Sequence, residues 1–216
     1  MAGNNINNIY NTILFIARKE RGTFLSVANC MNILDMGQME LLEEAFKEYQ
    51  INQTISDALS PFKVRLQFAT SSFGEVTMPL DYQHLLGGIF TVTGSTVNSV
   101  KFLTEDNLAE ALTSQLRAIT TGNPRALDSA LGFQIYPQVQ QTGFYTYLRR
   151  PLMPVLIYTQ AGRVLTYNPL TSIQIEFYDV YINNIIARAL KYLGINMSEQ
   201  EIENFGQVQS QETNIK

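Results

Sequence analysis

Tryptophan is absent from this 216-residue chain, cysteine and histidine occur once each, and only 16% of the residues are charged. Each scarcity removes a class of protein. Cys30 has no partner within the chain, which excludes a disulfide-stapled fold. Cys30 and His84 together cannot supply the four ligands of a structural zinc site. No run reaches the ~18 apolar residues of a membrane span, and the longest apolar patch, Pro151 to Tyr158, is only strand-length. Met1 to Asn8 is polar and Asn-rich, without the basic start and apolar run of a secretory signal. The expected setting is therefore the cytoplasm of the producing cell, with no membrane partner and a reduced thiol. With 15 Lys+Arg against 19 Asp+Glu, the net charge of −4 is the opposite of a surface built mainly to grip phosphates.

What remains is a chain with 45% hydrophobic residues, long enough to bury roughly 70% of its unfolded surface in a core without staples. Its polarity comes from Asn, Gln, Thr, Ser and Tyr. Low charge with abundant Tyr is the composition of extensive neutral protein contact.

The hydrophobic period changes twice along the chain. Ile6, Ile9, Tyr10, Ile13 and Ala17 form a helical stripe that ends in the charged run Arg18 to Gly22. Ser26 is placed as an N-cap, after which Met31, Leu34, Leu42, Ala45, Phe46 and Tyr49 predict a long second helix with Glu40, Glu43, Glu44 and Glu48 on its other face. A short helix from Ser56 stops before Pro61. From Phe62 the period falls to two: Val64, Leu66 and Phe68 alternate with Lys63, Arg65 and Gln67, and Val76 and Met78 after a turn at Ser71 to Gly74 predict a hairpin. Further predicted strands are Gly88 to Thr93, Val97 to Leu103, Gly132 to Tyr136, Leu152 to Tyr158, Arg163 to Tyr167 and Ser172 to Phe177. Gly162 supplies the turn between Tyr158 and Arg163. Thr104 opens a short helix with Leu108, Ala111, Leu112 and Leu116. The helical period returns with Tyr178, Ile182, Ile185, Ile186, Ala189 and Leu193, stopped at Gly194-Ile195 in Schellman fashion. Ser198 to Glu201 is a capping box for a last helix carrying Ile202 and Phe205.

These elements predict an α+β fold whose N- and C-terminal helices pack together around a central, mostly antiparallel β section. One domain is expected over residues 1–206, helical at 1–60 and 178–206 and β-rich at 61–177. The polar tail 207–216 follows.

No catalytic constellation is visible. His84 and Cys30 fall on different predicted elements, and Cys30 beside Met31 and Leu34 reads as a small buried hydrophobe. Glu43-Glu44 and Glu199-Glu201-Glu203 are helix-surface runs. Gly87-Gly88 and Gly122-Asn123-Pro124 are turns outside any phosphate-binding pattern. No cofactor and no metal are expected. The segment Gln138 to Arg150 reads as a long loop, and its Tyr145, Tyr147, Arg149 and Arg150 are the residue types that anchor interfaces. With Ile202 and Phe205 they are the candidate contact residues.

Longer stretches carry a resemblance. Asn8 to Glu20 followed by Gly22 to Ser26, then Gln53 to Leu59 with Pro61-Phe62, Val76 to Tyr82, Arg150 to Pro154, Ile185 to Gly194 and Ile195 to Glu201 together resemble the head-tail connector, or tail ring (neck adaptor), proteins of crAss-like short-tailed phages. The chain departs from that pattern at Val27, where a Pro often stands, and at Tyr178-Asp179, where a Trp-Pro step is common. The resemblance implies a structural virion protein of the neck or tail and not an enzyme. It would form a homo-oligomeric ring of about a dozen copies, contact the portal and neighbouring tail rings, and meet DNA only in transit through the lumen. Two readings from other classes stand beside it. One is a tail-associated peptidoglycan-cleaving enzyme, which needs a carboxylate in an apolar cleft. The other is a nucleic-acid-binding module centred on Arg149-Arg150.

Overall fold

The computed structural model describes residues 5–22, 24–49, 57–115, 118–198 and 200–202. In chain order the elements are α1 (Ile6–Arg21), α2 (Val27–Glu48), β1 (Lys63–Ala69), β2 (Glu75–Thr77), β3 (Tyr82–Thr93), β4 (Thr96–Leu103), α3 (Glu105–Thr113), β5 (Arg125–Ser129), β6 (Gly132–Tyr136), β7 (Thr142–Arg149), β8 (Tyr158–Ala161), β9 (Val164–Tyr167) and α4 (Ile182–Tyr192). The class is α+β, with helices at both ends and a large, mostly antiparallel sheet. The chain divides into two compact units: residues 1–61 with 151–216, and residues 62–150. The division moves 151–177, read from sequence with the β section, into the unit of the terminal helices.

In the helical unit the local signals act as read. The Ser26 side chain accepts from the Asn29 N–H, and Gly22 closes α1 at φ 64°. The Schellman stop is present: Ile195 N–H donates to the Leu190 carbonyl and Gly194 N–H to that of Lys191, with Ile195 buried. The stripes Ile6, Ile9, Ile13, Ile16 of α1, Leu34, Leu41, Leu42 of α2 and Ile185, Ile186, Ala189, Leu190 of α4 form the core.

Gly37 lets α2 and α4 approach, since a Cβ there would lie 3.0 Å from the Ile185 carbonyl oxygen and 3.3 Å from the Ala189 nitrogen. Arg188 flanks that crossing, pairing with Glu40 at 3.0 Å and with Glu44. Those two carboxylates are thus not a plain solvated face, as the sequence pattern suggested, but half of a helix–helix clamp.

Segment 151–177 departs from expectation. Leu152 to Tyr158 and Ser172 to Phe177 are not strands; they meet at one bridge, Val155 with Ile173. Prolines at 151, 154 and 169 remove the donors that a ladder needs. A β8–β9 ribbon forms with the predicted turn at Gly162, φ 65°, and the predicted second strand, but its first strand is Tyr158–Ala161, which was read as part of the turn.

The second unit is a seven-stranded sheet in the order β1-β7-β3-β4-β5-β6-β2, antiparallel except for β4 with β5. The predicted β1–β2 hairpin does not exist: the turn at Ser71 to Gly74 sends β2 to pair with β6, at the opposite end of the strand order. Gln138 to Arg150 is not a loop, because most of it is β7, the strand between β1 and β3. Five strand spacings of ~4.8 Å separate β1 from β6 in a flat sheet, about 24 Å. Yet the rings of Phe68 on β1 and Phe133 on β6 are 5.8 Å apart. The sheet therefore curls on itself, helped by the register shift in β3 between Leu86 and Ile89.

Val76, Ile89, Val100, Ala126, Phe133, Ile135, Tyr145 and Tyr147 fill the enclosed space. Gly143 on β7 leaves room for the Phe68 ring, which a Cβ would strike together with the Phe90 carbonyl.

Two substitutions test these close approaches. Gly143→Ala and Gly37→Leu each lower stability by about 1–3 kcal/mol, the range for overpacking a filled site, read by urea denaturation against wild type. An unchanged midpoint in Gly143→Ala would show that the curl does not depend on that gap.

Candidate interaction surfaces

β7 carries three of the residues singled out in the sequence, Tyr145, Tyr147 and Arg149, with Arg150 directly after it, and it places them as scaffold. Tyr145 is completely buried, its ring 5.6 Å from Phe133 and 5.9 Å from Phe68. Tyr147 is buried too, and its hydroxyl donates to Asp81 at 3.1 Å. Arg149 lies over the Phe62 ring at 5.5 Å and donates to the Arg150 carbonyl. The Arg150 N–H donates to the Asp81 carbonyl at 2.7 Å. The two tyrosines are therefore core residues of this unit and not an exposed aromatic patch. The physical reason is the period of two: Gly143, Tyr145 and Tyr147 face inward while Thr142, Phe144 and Thr146 face outward. Ile202 is buried behind the Ser198–Glu201 capping box, in which the Ser198 N–H donates to Glu201 at 2.7 Å. Phe205 and the tail 207–216 lie outside the described residues.

The remaining chemistry-bearing groups are quiet. Burial pushes the Cys30 thiol up to about 12, which keeps it protonated and poorly nucleophilic. Hydrogen bonds from Ser198 hold the Glu201 carboxyl below its usual range, as a cap and not as an acid poised to donate. Glu44 is ion-paired with Arg188. Among the described residues no group of three His, Cys, Asp or Glu side chains is placed to hold a metal. No helix among them is long and apolar enough to cross a membrane.

The surfaces that sequence reasoning missed expose apolar and aromatic side chains. On the outer face of the sheet, Arg65 stacks over Phe144 at 3.9 Å, and Phe144 stacks on its cross-strand partner Phe90 at 5.2 Å. That juxtaposition depends on the β1-β7-β3 order, which no local pattern announces. The helix α3 was legible, but its isolation was not: it buries no residue and leaves Leu112 53% exposed. The β8–β9 ribbon is fastened at its base, where Tyr158 donates to Asn7 at 2.7 Å and the Tyr167 hydroxyl accepts from Gln174 at 2.8 Å. Gln174 in turn accepts the Ile6 N–H at 2.7 Å, satisfying a free donor at the start of α1. Beyond that base, Val164 and Leu165 are about two-thirds exposed.

The chain matches no protein-family model and no curated protein.

The tyrosines give a paired test. The Tyr145 hydroxyl is buried and has no hydrogen-bond partner among the described residues, so Tyr145→Phe leaves stability unchanged or raises it, whereas Tyr147→Phe loses about 0.5–1.5 kcal/mol with its bond to Asp81. Burial, with Tyr147, Tyr82 and Asp81 nearby, pushes the Tyr145 phenol up to about 12. In the unfolded chain it ionises near its ordinary value of 10.0. The unfolded state thus sheds the proton first, and stability present below pH ~10 falls as the pH rises toward ~12. Chemical denaturation across that window shows the fall, and Tyr145→Phe flattens it.

The thiol gives a second test. At pH 8 native Cys30 alkylates about a thousandfold more slowly than in the denatured chain, followed by mass spectrometry.

Proposed function

We propose that this protein is a structural component of a phage virion, a subunit of an oligomeric ring that connects head to tail and lets DNA pass through its lumen. The observation that carries this reading is the pair of ordered elements, α3 and the β8–β9 ribbon, that expose leucine and valine side chains and pack only sparsely on the other elements of their own unit. A ring subunit needs two different surfaces of this kind, because a closing head-to-tail contact joins unlike faces.

Further support comes from the likeness of the chain, from Asn8 to Glu201, to neck adaptor proteins of crAss-like phages. The low charge fits as well, since a lumen dense in Lys and Arg would grip passing DNA in a salt-sensitive way. The partners in this reading are further copies of the chain, the portal protein and the adjoining tail rings.

Native mass spectrometry of the purified protein, alone and mixed with its portal, tests the proposal. A closed multimer, or a complex with one subunit per portal subunit, is the expected result. A monomer that ignores both the portal and the neighbouring tail proteins overturns it.

A further inference from the structure

We infer that the ring contact is made by the tip of the β8–β9 ribbon of one copy seated on α3 of the next. This rests on the ring reading above and assigns its two unlike faces.

Each element lacks what it needs to be stable alone. α3 has nine residues, fewer than the ~12–15 at which even good helix formers become marginal in water. A two-stranded ribbon is likewise marginal unless something covers it. Neither has extensive packing with another element of its own unit. Both nevertheless hold regular geometry and expose apolar side chains: Leu112 on α3, with Leu108 one helical turn before it half-buried, and Val164 and Leu165 at the end of the ribbon.

Their charges are complementary. Residues 104–116 contain Glu105, Asp106 and Glu110 and no Lys or Arg, whereas residues 158–167 contain Arg163 and no acid. Glu105, Leu108 and Leu112 follow the i, i+3, i+7 spacing of a single helix face, so one stripe offers a carboxylate at its start and two leucines beyond. At the ribbon tip Arg163 sits beside Val164 and Leu165 in the same order, charge first and apolar groups after. Placing Arg163 at the acidic first turn of α3 brings the apolar tip onto Leu112 and the uncovered part of Leu108.

Val164 and Leu165 are successive strand residues and project to opposite sides. The ribbon therefore offers α3 one apolar face while the other remains for the surface beside it. A second copy of the chain is the occupant because each copy carries one member of the pair, and a contact between unlike faces repeats from copy to copy until the rotation closes.

Cysteine placement with a short bismaleimide tests the contact even where it is weak. Leu112→Cys and Leu165→Cys are made singly and together, with the wild-type chain as the control for the slow Cys30. An equimolar mixture of the single variants, with portal present, is expected to yield mixed dimers well above either homodimer. The double variant is expected to yield a ladder of linked copies. The charge reversal Arg163→Glu is expected to weaken assembly about tenfold and to be rescued by Glu105→Lys with Asp106→Lys.

If wild type assembles but the single variants give only homodimers or no product, or the double variant links only within one chain, the assignment of faces is overturned and the ring reading survives. If wild type neither assembles nor binds portal and no linkage forms, the ring reading itself falls and this contact falls with it.

Discussion

The sheet of residues 62–150 depends on one constraint: its two distant strands, β1 and β6, must meet through Phe68, Phe133 and Tyr145. If the sheet were flat, the inward set on all seven strands would stand in water, at about 1.5–3 kcal/mol for each large side chain left exposed. Curling removes that penalty, and Gly143 makes the curl tight enough for the rings to touch. The interior is filled by side chains, as in other small closed or nearly closed sheets. Between the strands the largest inserted piece is α3, on the parallel crossing from β4 to β5.

The helical unit solves a different problem, that of carrying a projection on a rigid base. Gly37 sets the distance between α2 and α4, and Arg188 holds both Glu40 and Glu44 across it while its Nε donates to the Asn184 side-chain oxygen at 2.6 Å. Exposed ion pairs contribute little, but an arginine forked between two carboxylates and partly shielded also fixes geometry. The start of α1 anchors the ribbon through Gln174 and Asn7. The buried helices are the high-stability end of this unit, and the ribbon, held at its base alone, is the low end. That gradient suits an element whose final order comes from a neighbour.

Much of this was legible in the residues, and the rest was not for identifiable reasons. Caps and stops are local events, so Ser26, Gly22, Gly194-Ile195 and the Ser198–Glu201 box all read correctly from a few adjacent letters. Strand partners are not local. β1 and β2 are neighbours in sequence joined by a turn, which is the pattern of a hairpin, yet the burial of Val76 against Phe133 and Ile135 is better served at the far end of the sheet. β7 was hidden by composition: Gln, Thr, Gly and Tyr from Gln138 to Tyr147 look like a loop when polarity is weighed. The alternation of Gly143, Tyr145 and Tyr147 was the signal that carried the truth. Tyrosine is ambiguous in this respect, since the residue that favours interfaces is equally a core residue once its ring is enclosed. The exposure of the outer leucines and valine was missed for the complementary reason. Leu112, Val164 and Leu165 look like ordinary core positions in sequence, and only the fold shows that each is left more than half exposed.

A small contact between α3 and a ribbon tip is weak in isolation, since specific stable interfaces usually bury at least ~1,000 Å². Weakness is an advantage for a ring that must form in one place. Single contacts of this size do not link free subunits at ordinary concentration, so premature filaments, the hazard of any head-to-tail contact that fails to close, are avoided. A surface that already holds subunits side by side changes the arithmetic: the next contact becomes intramolecular, with an effective concentration far above that in solution. The last subunit then makes two contacts at once. In the ring reading, the partly uncovered α3 and β8–β9 are thus a means of making assembly conditional on the portal, and the exposed leucines that look like a flaw in a solitary protein are what ties its order to its place in the virion.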